Sequence, residues 1–179
     1  MNRLHSTSLL FVLCAAAACS TQPDDREPTS TASLQESSHA LDLMLSGEWS
    51  GREFPAAHWN DVERLLDRVE STTPLQRFPQ NPLSSQMQPT CAEGVMALWM
   101  IESVRLAPPP GFPSLNPLLL GGPDSDASWQ QISDRNTPIA VAAYRAWWDR
   151  VADLPSEERR AVDPLAGTGI AWFGSAAPR

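Results

Sequence analysis

The chain has 179 residues, a formal net charge of −8 and a hydrophobic share of 42 %. That length leaves room for one hydrophobic core and rules out a large multi-domain enzyme. The acidic balance, with arginines scattered along the chain, supplies no basic face for nucleic acid.

All basic side chains are arginine, and there is no lysine. This excludes a P-loop, whose lysine reaches the phosphates. It also excludes Schiff-base chemistry and a Ser-Lys dyad, which need an amine. The "GTG" at Gly167 to Gly169 therefore reads as a turn.

Residues 1–18 read as an export signal. Arg3 gives a positive start, and "LLFVLCAAAA" from Leu9 to Ala18 is an apolar run of ten residues. A bilayer span needs about 20. The phrase "AAAC" ending at Cys19 resembles the lipobox of bacterial lipoproteins, with Ala16 where leucine is usual. The resemblance implies that Cys19 becomes the lipid-modified, palmitate-bearing N-terminus. Ala16 and Ala18 also fit an ordinary signal-peptidase site cutting at the same bond, which would release a soluble periplasmic or secreted protein. Removing the signal takes away Arg3 and no acid, so the mature chain is one unit more negative.

Residues 19–38 read as a disordered tether. From Ser20 to Ser38 only Ala32 and Leu34 are apolar, too little to offset chain entropy. A single mostly helical domain is expected over residues 39–174, followed by a disordered tail at 175–179.

Within the domain, Leu41, Met44 and Leu45 fall at helical spacing and Gly47 stops them. Asn60 is the expected N-cap of a second helix, with Glu63 three residues on. Val62, Leu65, Leu66 and Val69 form its apolar face, and Arg64, Asp67 and Arg68 face water. Prolines at 74, 79, 82 and 89 then impose a long loop, pinned by Phe78 and Leu83. Thr90 and Glu93 make a capping box for a helix over residues 91–106, which is apolar almost all round and so must be central. A second Pro-rich loop follows, and its "FPSLNPL" resembles "FPQNPL" in the first. Thr137 and Pro138 are the expected cap and first position of the next helix, with Ala140, Ala143, Tyr144, Trp147, Trp148 and Val151 on one face. A charged turn at Ser156 to Arg160 leads to a short extended end, "DPLAGTGIAWFG". The class is mostly α: a bundle of about four helices, long Pro-rich loops, a short C-terminal extended segment and no sheet.

Candidate chemistry is sparse. Of Cys14, Cys19 and Cys91, one thiol remains in the fold, so an internal disulfide and a cysteine-rich zinc site are excluded by count. Cys91 at a helix N-terminus is the candidate nucleophile, since the helix dipole lowers a thiol's pKa there. Its base would have to be His39 or His58, both upstream. Those histidines with Glu36, Glu53 or Asp61 show no H-x-x-x-H or H-E-x-x-H spacing, and no metal or cofactor is expected. Ser84 and Ser85 lack the G-x-S-x-G elbow. Glu102 sits amid apolar residues. Paired with Arg105, three residues on, it is an anchor; unpaired, it is a candidate acid. Seven tryptophans are many for this length. Trp147 and Trp148 lie about 100° apart on a helix, so one of them is a candidate partner-binding ring.

The ordered phrases "FPQNPLSSQ", "EGVMALWMIESVR", "FPSLNP", "AYRAWW" and "DPLAGTGIAWFG", from about His39 to Phe173, resemble a bacterial lipoprotein family catalogued as a domain of unknown function. The resemblance implies an envelope location and a compact helical domain, and it brings no catalytic residue and no ligand. The leading expectation is a non-enzymatic envelope lipoprotein that binds another envelope protein or scaffolds an assembly. The alternatives are an immunity-type inhibitor of a basic toxin and a thiol-dependent envelope hydrolase using Cys91.

Overall fold

The structure, a computed structural model, describes residues 39, 41–43, 45–46, 48, 57–78, 88–106, 116–122 and 126–175. Cys19, the signal and tether segments, Ser84, Ser85, Leu83, Met44 and most of both Pro-rich loops lie outside the described residues.

The fold is mostly α, as the periodicity predicts. A 3-10 turn at Trp59–Asp61 leads into α1, Val62–Leu66. The central helix α2 spans Glu93–Leu106, and β1 covers Leu119–Gly121. The long helix α3 covers Trp129–Val151, α4 covers Ser156–Ala161, and β2 covers Ile170–Trp172.

Helix α2 is the spine. From Glu93 to Glu102 every residue is buried, and Val104 is too. Its apolar side chains leave no polar stripe, so burial on all sides is the only arrangement that removes them from water. Val62, Leu65, Leu66 and Val69 cover it from the α1 side, and all four are buried as their spacing predicts. Phe78 packs against the same core.

The start of α2 departs from the expected capping box. Thr90 and Cys91 precede the helix, and Ala92 forms an isolated antiparallel bridge with Pro74. The amides of Glu93 and Gly94 donate to the carbonyls of Thr73 and Ser71, at 2.8 and 3.0 Å. Helix amides that would otherwise lack partners are thus satisfied by a neighbouring strand-like segment. The Glu93 carboxylate accepts from Ser71 Oγ at 2.6 Å and from Arg68 Nη1 at 2.8 Å instead of folding back on Thr90. Arg68 therefore ties α2 to the turn after α1 and is not simply a solvated residue. This close approach needs glycine at 94, where a Cβ would stand 2.3 Å from the Val69 carbonyl oxygen.

Three further expectations are corrected. Asn60 lies inside the 3-10 turn, and the Asp61 carboxylate accepts from the His58 amide at 2.9 Å. Helix α3 begins eight residues before Thr137, at Trp129. Ser128 caps it, its Oγ accepting from the Gln131 amide while Gln131 Oε1 accepts from the Ser128 amide. That reciprocal box outcompetes the local Thr-Pro signal, and Pro138 sits inside the helix. The charged stretch at Ser156 is a helix of six residues rather than a turn.

A small sheet does form. β1 and β2 pair antiparallel, with Leu119 opposite Trp172, Leu120 opposite Ala171 and Gly121 opposite Ile170. Gly167 and Gly169, both at φ of +77°, turn the chain into β2. Ser133 Oγ in α3 accepts from the Leu119 amide at 3.1 Å and fixes the sheet to the helix. The two Pro-rich loops are joined at their ends, where buried Gln88 donates to the Pro117 carbonyl at 2.7 Å.

The glycine contact gives a test. Gly94→Ala raises helix propensity by about 1 kcal/mol, yet it forces a Cβ onto backbone, an overpacking cost of about 1–3 kcal/mol or more. Chemical denaturation should show a net loss of stability. A stabilised variant would mean that the 69–71 segment is not seated against α2.

Candidate functional site

Three features hold the chemistry that the sequence offers: a buried polar chain around Glu102, an aromatic stack at Trp148, and a groove floored by Cys91.

Glu102 is 4 % exposed in the middle of α2. Arg105 donates to it twice, Nε to Oε2 at 2.8 Å and Nη2 to Oε1 at 2.5 Å. The buried hydroxyl of Tyr144, from α3, donates to Oε2 at 2.9 Å. Trp172 Nε1, from β2, donates to that hydroxyl at 2.8 Å. Arg105 Nη1 continues to the Arg160 carbonyl at 3.0 Å in α4. The carboxylate thus accepts three strong hydrogen bonds, two of them from a cation, and this commits it to structure. Burial opposes the charge on Arg105, but the hydrogen bonds and negative charge of Glu102 outweigh it and raise the guanidinium's pKa. Burial first, and the Glu102 charge second, push the Tyr144 phenol well above its ordinary range. The Glu102–Arg105 pairing was legible from sequence. Tyr144 and Trp172 were not, and the one available signal was a lone tyrosine on an otherwise apolar helix face.

Trp147 is fully buried and packs edge-on to Tyr144 with ring centroids 6.1 Å apart. It has no surface to offer a partner. Trp148 is half-buried and stacks on Trp59 with centroids 6.3 Å apart and planes 10° apart. The Arg159 guanidinium lies over both rings, 5.2 Å from Trp59 and 5.4 Å from Trp148. Its Nε donates to the Leu154 carbonyl at 2.6 Å, which fixes it in place. Cation–π attraction and ring stacking together hold α4 to the C-terminal half of α3.

The groove has a volume of about 760 Å³ and opens between residues 69–74, residues 90–95 and the α3 stretch from Gln130 to Arg145. Its walls are mainly apolar, with Val69, Pro74, Val95, Pro138 and Val141 among them. Cys91 lines it but is only 1 % exposed. The thiol's hydrogen bond goes to the Ala92 carbonyl at 3.4 Å. Burial, then the nearby Asp134 charge, raise its pKa far above that of a free thiol. The Met96 amide at the start of α2 acts to lower it, as a helix N-terminus should, but burial of Cys91 beneath the helix outweighs that contribution. His39 is exposed, His58 is half-buried beside the 3-10 turn, and neither lines the groove. The structure therefore does not bring thiol and imidazole together there.

At the groove rim, Arg145 bridges Glu70 at 3.2 Å and donates to the Leu66 carbonyl at 3.1 Å. Gln130 Nε2 donates to Asp134 Oδ1 at 2.8 Å. Among the described residues no cluster of three His, Cys, Asp or Glu side chains could hold a metal. No helix among them is long and apolar enough to cross a membrane.

The chain belongs to the family described as a domain of unknown function (DUF4943), which matches residues 41–173. No curated protein and no solved structure matches it.

The raised thiol pKa fixes the sign of an alkaline effect. A free thiol titrates near pH 8.5. Above that the unfolded chain loses the Cys91 proton while the folded chain keeps it. Stability is full below pH 8.5 and falls as pH rises, by up to about 1.4 kcal/mol per unit from this group. Denaturation measured between pH 8.5 and 10 should therefore show a shallower decline for Cys91→Ala than for wild type, whatever its stability at pH 7. Equal slopes would show that the thiol is solvated in the folded protein.

Proposed function

We propose that this family member is a non-enzymatic envelope lipoprotein, anchored through a lipid on Cys19, whose helical domain binds another envelope protein. The observation that carries this reading is the commitment of the reactive side chains to the fold. The Glu102 carboxylate is saturated by Arg105 and Tyr144. The Cys91 thiol is buried and held protonated. Among the described residues an apolar groove beside a long helix is open to other molecules, a shape suited to recognition.

The anchor reading rests on the apolar run ending in "AAAC" and the polar stretch after it. A polar segment of about 20 residues gives a reach of roughly 25 Å, which lets a tethered domain meet a partner in the same envelope. Two measurements on the full chain test the proposal. Labelled palmitate should enter the wild type and not Cys19→Ser; equal labelling of both would remove the anchor. Crosslinking in intact envelopes should trap a defined complex with another protein, and a chain that stays free under all crosslinkers would remove the binding role.

A further inference from the structure

We infer that the groove between residues 69–74, residues 90–95 and α3 receives a partner's basic side chain flanked by apolar residues, with Asp134 and Gln130 as its acceptors. The inference rests on the binding reading above and names the chemistry of the partner.

The electrostatics of the walls support it. Two carboxylates and one cation line the groove: Glu70, Asp134 and Arg145. Arg145 is already taken by Glu70 and the Leu66 carbonyl. Asp134 is left without a cation among the described residues, and its carboxylate bonds only to the neutral amide of Gln130. That amide holds a second acceptor, Gln130 Oε1, which is buried and has no hydrogen-bond partner among the described residues. A buried acceptor without a donor is costly unless a ligand supplies one.

Two acceptors, one of them charged, thus belong to residues of one wall, opposite apolar surface from Val69, Pro74 and Val95. An anionic or purely apolar occupant would leave the acceptors unpaired. A guanidinium or ammonium group has only donors and carries the opposite charge, and its aliphatic stem suits the apolar wall. The net charge of −8 draws basic partners toward the domain.

The probe is the capped peptide acetyl-Ala-Leu-Arg-Leu-Ala-amide, compared with the same peptide carrying glutamate in place of arginine. Binding to the full chain is followed by NMR at the Val95 and Val141 amides. The arginine peptide should bind at least about tenfold more tightly than the glutamate peptide. Asp134→Asn should remove most of that preference, and Ala142→Trp, which fills the groove from an exposed position, should remove binding. Both replaced residues are exposed, and circular dichroism checks that each variant stays folded. Equal binding of the two peptides, shifts confined to other surfaces, or no binding of the arginine peptide overturns the inference. If envelope crosslinking captures a partner while the arginine peptide fails, the binding role stands and the groove assignment falls. If the peptide binds as described and no partner is captured, the groove assignment stands without that role.

Discussion

Glu102 lies where almost every neighbour is apolar, and a charge in that position is tolerated only because donors converge on it from three directions. Arg105 reaches it from one helical turn on, Tyr144 from α3, and Trp172 from β2 through the tyrosine hydroxyl. Bare, a buried carboxylate carries a desolvation penalty of several kcal/mol. Satisfied in this way, it converts that penalty into a geometric requirement: α2, α3, α4 and β2 must meet at one point. The chain of hydrogen bonds ends on the Arg160 carbonyl, and Arg160 Nη1 returns to the Val104 carbonyl at 3.5 Å. The apolar core around α2 supplies the bulk of the stability. The polar chain fixes which packing of that core is adopted, because a rotated α3 would take the Tyr144 hydroxyl from Glu102 and leave Trp172 without its acceptor.

The remaining surfaces follow from that placement. With Tyr144 held on Glu102, Trp147 one turn on is driven into the core, and Trp148 comes out beside Trp59 under Arg159. Another face of α3, carrying Gln130, Asp134, Val141 and Arg145, is left toward the segment at 69–74. Gly94 lets that segment approach α2 closely enough to take the helix's first amides. The groove is what lies between the two, so its shape depends on a helix orientation fixed at Tyr144. Cys91 belongs to the floor of this arrangement: its proton stays on because water is kept from it.

Local chemistry explains what was legible in the sequence. An all-apolar run such as Val95 to Ile101 has only one stable location, so the central role of α2 could be read directly. Glu102 and Arg105, three residues apart, meet on any helix. The start of α3 was misread because Thr137-Pro138 carries a local N-terminus signature. The Ser128–Gln131 box lies upstream in a polar stretch whose few apolar residues do not announce a helix. The strands have three residues each, too few for alternation to show, and their pairing is decided by contacts about fifty residues apart. The groove was invisible for the same reason: its walls come from three segments that no periodicity links. Nor could the family assignment have supplied these contacts, since the family is described as a domain of unknown function.

The account stands or falls on whether the carboxylate and the tyrosine act as one unit. A double-mutant cycle with Glu102→Gln, Tyr144→Phe and the combined variant, read by chemical denaturation, measures this directly. The account predicts that both single changes are costly and that they are strongly non-additive, with a coupling of about 1–3 kcal/mol, as for partners in one buried network. Additivity within about 0.5 kcal/mol would contradict it, and the helices would then be positioned by apolar packing alone.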